Sequence, residues 1–292
     1  SADPRIQHSL TLEVDGFGNV LKQAAIGYGR RKQISVVDDQ ENVQHVPNPG
    51  LTGLDATDQA KQTTPLLTYT ENRVTNAIET SDTYRTPLPC EALTFELTGY
   101  TPTGAAGRFQ ASDLVEPDPA TAGKLRHKFT DQVSYEAAAT GNPCRRPIEW
   151  LRTLYRRNDL DGLLPLGELQ SLALTGESYK LAFTPGLLAQ VFQRPRQGQA
   201  AEPLLPDPAA VLSGQAGNLG GYLQSQMLKA DGRFPASDAD DHWWIPSGQS
   251  FYINNPAANA ATELAQAWQH FFLPRRYRDP FGHSAYVDFD AH

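Results

Sequence analysis

Residues 9–20 read Ser-Leu-Thr-Leu-Glu-Val-Asp-Gly-Phe-Gly-Asn-Val. The first six alternate apolar and polar side chains, which is typical of a half-buried strand. Gly18 supplies the positive φ angle of a tight turn, and Asp15 and Asn19 form hydrogen bonds to nearby backbone amides. Residues 25–31 have the character of a returning strand. The stretch therefore predicts a hairpin whose turn is at 15–19.

A second copy of this turn lies near the end of the sequence, where residues 279–283 read Asp-Pro-Phe-Gly-His. A repeated turn and hairpin indicates a protein that builds a wall from strands rather than one that houses a single active site. A turn does not require phenylalanine, so the two Phe side chains are predicted to contact neighbouring hairpins. The candidate structural residues are Asp15, Phe17, Gly18, Asn19, Asp279, Phe281 and Gly282.

Composition narrows the range of functions. The chain has 292 residues and a formal charge of −8, which disfavours a nucleic-acid groove or direct contact with an anionic membrane. No apolar run approaches the roughly 20 residues of a membrane helix. Because the sequence lacks an initiating Met and a signal segment, we expect it to be part of a longer protein. Cys90 and Cys144 do not form a disulfide framework, and a buried thiol is favoured over a reactive one at Cys144.

The pattern along the chain predicts a mainly β fold of antiparallel hairpins with a few helical insertions, with an α+β fold as the alternative. Strand patterns occupy much of 3–37 and 66–100, and three polar stretches are predicted to be loops. The arginine-rich segment 145–157 fits a helix and a basic strand equally well. The predicted loops are 38–65, 101–124 (with a possible helix at 111–114) and 193–209.

The sequence predicts two helices. Thr184 followed by Pro185 is typical of a capped helix start, which predicts a short helix over 184–192. The second spans 257–272, with an apolar face on which we expect Trp268 and Phe272 to be buried. The predicted organisation is a strand-rich part (1–140), a mixed part with helices (141–274) and the start of an Rhs-type repeat (275–292).

Six blocks of the sequence together resemble one family, the B component of bacterial Tc insecticidal toxins (TcB/TcaC-like and Rhs-repeat-containing), in its C-terminal shell region. A typical Rhs repeat carries Tyr-Asp after the turn glycine, whereas a different sequence follows Gly282. The resemblance therefore places only the edge of the Rhs repeat region within this sequence. The blocks are 3–21, 25–31, 69–76, 84–91, 243–248 and 271–282.

The resemblance implies a structural, non-catalytic role in a hollow β-shell of the Rhs/YD type that encloses a cytotoxic cargo. It implies as partners the C component with its enclosed cytotoxic domain and, indirectly, the A-component channel. It further implies a secreted virulence protein that is made in the cytoplasm and acts outside the cell. No cofactor is expected.

Several other motifs contain residue types that could bind a metal ion or perform catalysis. Asp238, Asp240, Asp241 and His242 form an acidic cluster that a hard cation would favour, as in a metal-dependent hydrolase, although a solvated loop is the simpler interpretation. The glycines of 214–221, Ser247 and the Asp159/Asp161 pair lack the context of a phosphate loop, a hydrolase or a glycosidase. The alternative to the wall is a carbohydrate-binding or carbohydrate-active module, which would use exposed aromatic residues: Trp150, Trp243, Trp244, Tyr252 and Trp268.

Overall fold

The structure, a computed structural model, describes residues 3–213 and 220–290. Strands account for 38% of the residues and helices for 16%, and the strands lie mostly in antiparallel sheets. The mainly β prediction with helical insertions is confirmed. In the described part the strands are β1 Gln7–Val14, β2 Val20–Gly27, β3 Gln33–Val37, β4 Val43–Pro47, β5 Leu66–Val74, β6 Ile78–Glu79, β7 Tyr84–Arg85, β8 Pro89–Thr98, β9 Val115–Pro117, β10 Leu125–His127, β11 Asp131–Gln132, β12 Cys144–Tyr155, β13 Thr175–Phe183, β14 Gln193–Arg196, β15 Gln199–Pro203, β16 Leu223–Gln224, β17 Trp243–Pro246, β18 Gln249–Phe251, β19 Arg276–Arg278 and β20 Ser284–Tyr286.

The helices are short and lie between the strands. Two single turns of 3-10 helix occur at Pro49–Leu51 and Ala105–Gly107. The α-helices of the described residues are α1 Ala56–Thr63, α2 Ala111–Leu114, α3 Pro185–Val191, α4 Pro208–Leu212, α5 Ser225–Ala230 and α6 Ala260–Gln269. None of them is long and apolar enough to span a bilayer.

The chain divides into two compact units. Unit 1 comprises residues 1–71, 94–133 and 137–148, and unit 2 comprises residues 72–93, 134–136 and 149–292. Strands β5, β8 and β12 contribute residues to both. The division at residues 140 and 274 that the sequence suggested stays a prediction.

Unit 1 is organised around the sheet order β1-β2-β5-β8-β12. The β1–β2 hairpin pairs Gln7 with Gly27 and Val14 with Val20, and β2 continues antiparallel onto β5. Two further hairpins, β3–β4 and β9–β10, belong to this unit. Ile26, Tyr69 and Phe95 are almost completely buried, so the central strands supply the core.

Unit 2 continues with the order β12-β13-β17-β16 and adds a separate three-stranded sheet, β18-β19-β20. One core cluster joins Tyr179, Phe234 and Trp244 of the strands and loops to helix α5. A second cluster packs Ala267 of helix α6 against Tyr252, Leu160 and Leu174. Aromatic side chains therefore form much of the interior of this unit.

The loop predictions for two segments are wrong. Residues 38–65 complete the β3–β4 hairpin and form helix α1, which Asp55 caps by accepting a hydrogen bond from the Asp58 amide. Residues 193–209 form the β14–β15 hairpin and the start of α4. The strands in these segments are short and exposed, so their sequences lack a clear alternation of apolar and polar residues. Their composition therefore resembles that of loops.

The predicted helix at 184–192 is confirmed as α3, with Thr184 accepting from the Leu187 amide. Segment 145–157 is resolved as a strand, β12. The second predicted helix is shorter than expected, because α6 ends at Gln269. Trp268 is 61% exposed, so the prediction that it is buried is wrong. The packed face of α6 instead carries Glu263 and Ala267, and Trp268 lies beside that face.

Candidate functional site

The turn at Asp15–Asn19 is locked by the aspartate side chain. Asp15 Oδ1 accepts hydrogen bonds from the amides of Phe17 (2.9 Å) and Asn19 (2.8 Å), and Oδ2 accepts from Asn19 Nδ2 (2.9 Å). The Asp15 amide donates to Asn19 O, and Gly18 takes a φ angle of 88°. These hydrogen bonds hold the pKa of Asp15 below its usual range, chiefly through the Asn19 side chain.

The same turn occurs twice more. Asp279 Oδ1 accepts from the amides of Phe281 and His283, and Gly282 takes a φ angle of 90°. Asp38 Oδ1 accepts from the amides of Gln40 and Asn42. In this third copy Glu41 occupies the glycine position with a φ angle of 62°. Sequence reasoning missed it because both Phe and Gly are replaced, and the surviving signal is Asp followed four residues later by Asn.

The two turn phenylalanines lie at the surface. Phe17 is 43% exposed and Phe281 is 60% exposed. The Phe281 ring lies against Gly221, where an added Cβ atom would stand 3.0 Å from Phe281 Cε1. Their predicted role of joining neighbouring hairpins stays a prediction.

Five arginines lie along and just after β12, and we call them the β12 arginine row: Arg145, Arg146, Arg152, Arg156 and Arg157. In unit 1, Arg145 pairs with Glu71 of β5 at 3.3 Å, and Arg146 donates to Glu96 of β8 through Nε at 3.0 Å. Arg145 also covers the rings of Phe95 and Phe129. Both pairs link strands of one sheet, which adds side-chain bonds to the backbone ladder.

Arg152 is the most deeply buried member of the row, with 2% of its side chain exposed. Its Nε donates to Glu91 Oε1 at 2.7 Å, and its Nη1 donates to Asp238. The guanidinium lies 4.4 Å from the Phe234 ring centroid and 5.1 Å from that of Trp244. A buried guanidinium is tolerated here because two carboxylates and aromatic faces replace its water.

Glu91 accepts hydrogen bonds from two further side chains besides Arg152. Trp150 Nε1 donates to Glu91 Oε1 at 2.8 Å, and Arg73 donates to Oε2 at 2.7 Å. Burial raises the pKa of Glu91, but the Arg152 charge and these donors outweigh that effect and leave the pKa below 4.5. Glu91 therefore stays ionised at neutral pH. The sequence did not identify Glu91 as a site residue because its partners are remote along the chain.

The row continues into helix α6 and the following turn. Arg156 makes a two-pronged contact with Glu263, with Nη1 to Oε1 at 3.0 Å and Nη2 to Oε2 at 3.1 Å. Glu263 is 5% exposed and also accepts from the Tyr252 amide. Arg157 pairs with Asp159 at the surface. All five arginines are thus committed to carboxylates of this same chain.

The acidic cluster is likewise tied into ion pairs. Asp238 pairs with Arg152, and Asp240 pairs with Lys229 at 2.7 Å. Burial lowers the pKa of His242 despite the opposing effect of nearby Asp241 and Asp238. Within residues 3–213 and 220–290, no three or more His, Cys, Asp or Glu side chains are arranged to hold a metal ion.

The remaining motifs have local structural partners. Ser247 Oγ accepts from the Ser178 amide at 3.0 Å and donates to Gly248 O. Asp159 is occupied by Arg157. Most of the glycine-rich stretch 214–221 lies outside the described residues. Cys90 and Cys144 are both free and buried, and burial raises the pKa of the Cys90 thiol to about 11.

The aromatic residues of the carbohydrate alternative lie mostly inside unit 2. Trp243, Trp244 and Tyr252 are at most 5% exposed. Trp150 is half-buried against Trp244, with ring centroids 5.4 Å apart. Trp268 is the exposed member of the set. A sugar-stacking platform needs several accessible rings, so these mostly buried rings fit a hydrophobic interior better than a sugar site.

Comparison with known proteins finds a related family and similar solved structures. Residues 1–88 match the sequence model of a family described as the insecticide toxin TcdB middle/C-terminal region. No curated protein matches. The fold is similar to the crystal structure of TcdB2–TccC3 without its hypervariable C-terminal region, with a TM-score of 0.53 and 19% identity over 95% of this chain and 10% of that one.

A second solved structure is the Photorhabdus luminescens Tc holotoxin pore, with 17% identity over 99% of this chain and 12% of that one. Its TM-score is 0.47. The chain thus spans about a tenth of the length of the solved chains it matches. The resemblance drawn from the sequence is confirmed: residues 1–88 carry the TcdB middle/C-terminal signature, and the fold is similar to that of a TcB-like component of a Tc toxin complex.

Proposed function

We propose that this chain is a section of the β-sheet wall of a hollow shell that encloses the cytotoxic cargo of a Tc toxin. The proposal rests most directly on the β12 arginine row, which ties strands β5, β8 and helix α6 to β12 through ion pairs. Such pairs fix geometry rather than react. The similarity of fold to TcdB2–TccC3 supports the same role.

The chemistry of the described side chains fits a wall that is inert toward its cargo. The candidate nucleophile Ser247 and the candidate ligands Asp238 and Asp240 are each occupied by bonds within the chain. The function we propose is therefore non-catalytic and needs no cofactor. Phe17 and Phe281 would contact neighbouring hairpins of the shell from their exposed turns.

The proposed partners follow from the shell. They are the C component of the toxin with its enclosed cytotoxic domain and, indirectly, the A-component channel. The proposed site of action is outside the producing cell. The bound state would involve no nucleic acid and no direct membrane contact.

Co-purification tests the proposal. A tagged form of the chain is co-expressed with a C-component polypeptide that lacks its hypervariable C-terminal region, and complexes are isolated by the tag and by size. We expect a complex that survives both steps and weakens when Phe17 and Phe281 are both replaced by Ser. Recovery of the chain alone would count against the wall role, and saturable binding on a glycan array would favour the carbohydrate alternative instead.

A further inference from the structure

Three arginines near the C-terminus of the described chain differ from the β12 arginine row. Arg275, Arg276 and Arg278 lie on or beside β19, and no carboxylate of residues 3–213 or 220–290 comes within 4.0 Å of their guanidinium nitrogens. Arg276 is only 4% exposed, and Arg275 Nε is buried without a hydrogen-bond partner in this part of the chain. The net charge of the protein is −8, so carboxylates are plentiful elsewhere.

The ring of Phe251 brings several of these charges together. Its centroid lies 3.9 Å from Arg276 Cζ, 5.3 Å from Arg278 Cζ and 5.9 Å from Arg156 Cζ. Arg156 is neutralised by Glu263, whereas the other two are not paired in this way. Like charges held this close repel each other, and an anion among them is correspondingly attracted.

A cavity of about 220 Å³ opens beside this ring. Arg156, Arg233 and Arg278 line it, together with a single acidic residue, Glu177. Arg233 also pairs with Asp231 at 3.5 Å, whereas Arg278 has no such partner among the described residues. Glu177 is itself held by other donors: Tyr179 OH at 2.6 Å, Gln249 Nε2, and Arg233 Nη1 at 3.5 Å. Its negative charge is thereby spread over three donors and opposes an incoming anion less strongly.

The carboxylate next to Arg278 in the sequence is turned away from it. Asp279 Oδ1 accepts from the amides of Phe281 and His283, and Oδ2 lies 3.2 Å from His283 Nδ1. Arg278 Nη2 donates to Gln249 Oε1, which leaves further N–H groups of this exposed side chain for another acceptor. The turn that builds the hairpin thus keeps the Arg278 charge unpaired.

We propose that this cavity binds an oxyanion, either a phosphate group or a carboxylate, with Arg278 as its principal ligand and Arg233 as the second. Guanidinium groups form two-pronged hydrogen bonds with both kinds of anion, and the cavity volume suits a small one. Because Arg278 is exposed, added salt weakens the binding.

Calorimetric titration of the intact chain with inorganic phosphate, and separately with acetate, at low ionic strength tests the site. We expect one saturable site for at least one of the two anions, and the tighter of the two identifies the source. Arg278→Gln should weaken binding by about tenfold or more, as expected for the loss of a charge-assisted hydrogen bond, and Arg278→Lys by less.

Arg31→Gln is the matched control. Arg31 is exposed and likewise has no carboxylate within 4.0 Å in the described residues, so the substitution makes the same change in net charge at a residue that does not line the cavity. We expect its affinity to stay within about twofold of the parent, a difference below RT. Circular dichroism confirms that each variant is folded. Three results would each overturn the proposal: no saturation with either anion up to about 10 mM, unchanged affinity in Arg278→Gln, or an equal loss in Arg31→Gln.

Discussion

Arg152 Nε lies 2.7 Å from Glu91 Oε1, and only 2% of the arginine side chain and 8% of the glutamate side chain are exposed. Burying two charges is costly, and the pair is stable because Asp238, Trp150 and Arg73 complete its hydrogen bonds. This contact is the centre of the β12 arginine row in unit 2. It explains how a strongly basic segment is accommodated in an acidic protein, since carboxylates of the same chain pair with its arginines.

Replacing Arg152 tests how much this network contributes to stability. Arg152→Ala leaves Glu91 and Asp238 without their shared partner, and we expect a loss of about 3–5 kcal/mol in the free energy of unfolding. Arg157→Ala is the control, since Arg157 pairs with Asp159 at the surface and its loss should leave the unfolding midpoint nearly unchanged. Denaturant titration followed by tryptophan fluorescence measures both. Equal midpoints for the two variants would contradict the account.

The first turn offers a matched pair of glycines. An added Cβ atom meets nothing within 4 Å at Gly16 or at Gly18, but Gly18 has a φ angle of 88°. We expect Gly18→Ala to destabilise the chain by about 1–2 kcal/mol, and Gly16→Ala to be neutral or to stabilise it by up to about 1 kcal/mol. Thermal and denaturant unfolding compare the two. A similar effect at both positions would show that the backbone of the turn is not constrained in this way.

Truncation of Trp244 and of Trp268 should destabilise the chain to very different extents. Trp244 is 1% exposed and donates from Nε1 to Ser225 Oγ at 2.8 Å, so Trp244→Ala should cost about 3–5 kcal/mol. Trp268 is exposed and contacts Phe272 edge-on, so Trp268→Ala should cost less than about 1 kcal/mol. Chemical denaturation gives both values. A large loss at Trp268 would mean that its ring is covered.

A buried histidine in unit 1 should make stability depend on pH. Burial, assisted by the Arg145 charge, lowers the pKa of His127 from 6.5 to about 3. Between these values the unfolded chain binds a proton that the folded chain does not. The contribution is therefore fully present above pH 6.5 and declines as the pH falls toward 3, by up to about 1.4 kcal/mol per pH unit.

The variant His127→Phe keeps a ring that can stack on Tyr69 (4.2 Å) and removes the titrating nitrogens. It also removes the 3.3 Å contact between Nε2 and the Tyr100 hydroxyl, so the pH dependence of stability is compared rather than its absolute value. Unfolding free energies at pH 7.5 and 5 should differ less in the variant than in the parent chain. Carboxylates such as Glu91, whose pKa is lowered below 4.5, titrate below this range in both proteins. Identical pH slopes would show that His127 is not held neutral by the fold.

The sequence predicted features that local chemistry determines. Asp15, Gly18 and Asn19 specify a turn through side-chain hydrogen bonds and φ preference, and Thr184 specifies a helix start in the same way. The third turn was not predicted because Gln40 and Glu41 stand at the positions of the phenylalanine and the glycine. Its aspartate makes the same hydrogen bonds, so the backbone follows the same path.

Features that depend on remote partners were less predictable. The periodicity of 145–157 fitted a helix and a strand, and pairing with β13 decides for the strand. Trp268 was predicted to lie on the packed face of α6, but that face carries Ala267 and Glu263, and Glu263 is buried through its pair with the remote Arg156. The helix was also expected to reach residue 272. It ends at 269, and Phe271 and Phe272 then take φ angles of 54° and 56° that redirect the chain. The carboxylate partners of the arginines could not be predicted from local sequence patterns either, because most of them lie far from the arginines along the chain.

The central claim is that this chain forms part of a closed wall around a toxin cargo. The most direct measurement is a cryo-electron microscopy reconstruction of the polypeptide that carries this chain, assembled with a C component. We predict that β1, β2, β5, β8 and β12 lie within a continuous β-sheet shell that has one face toward an enclosed space. A reconstruction that places these strands in a separate domain outside the shell, or that shows no enclosed space, would contradict the account.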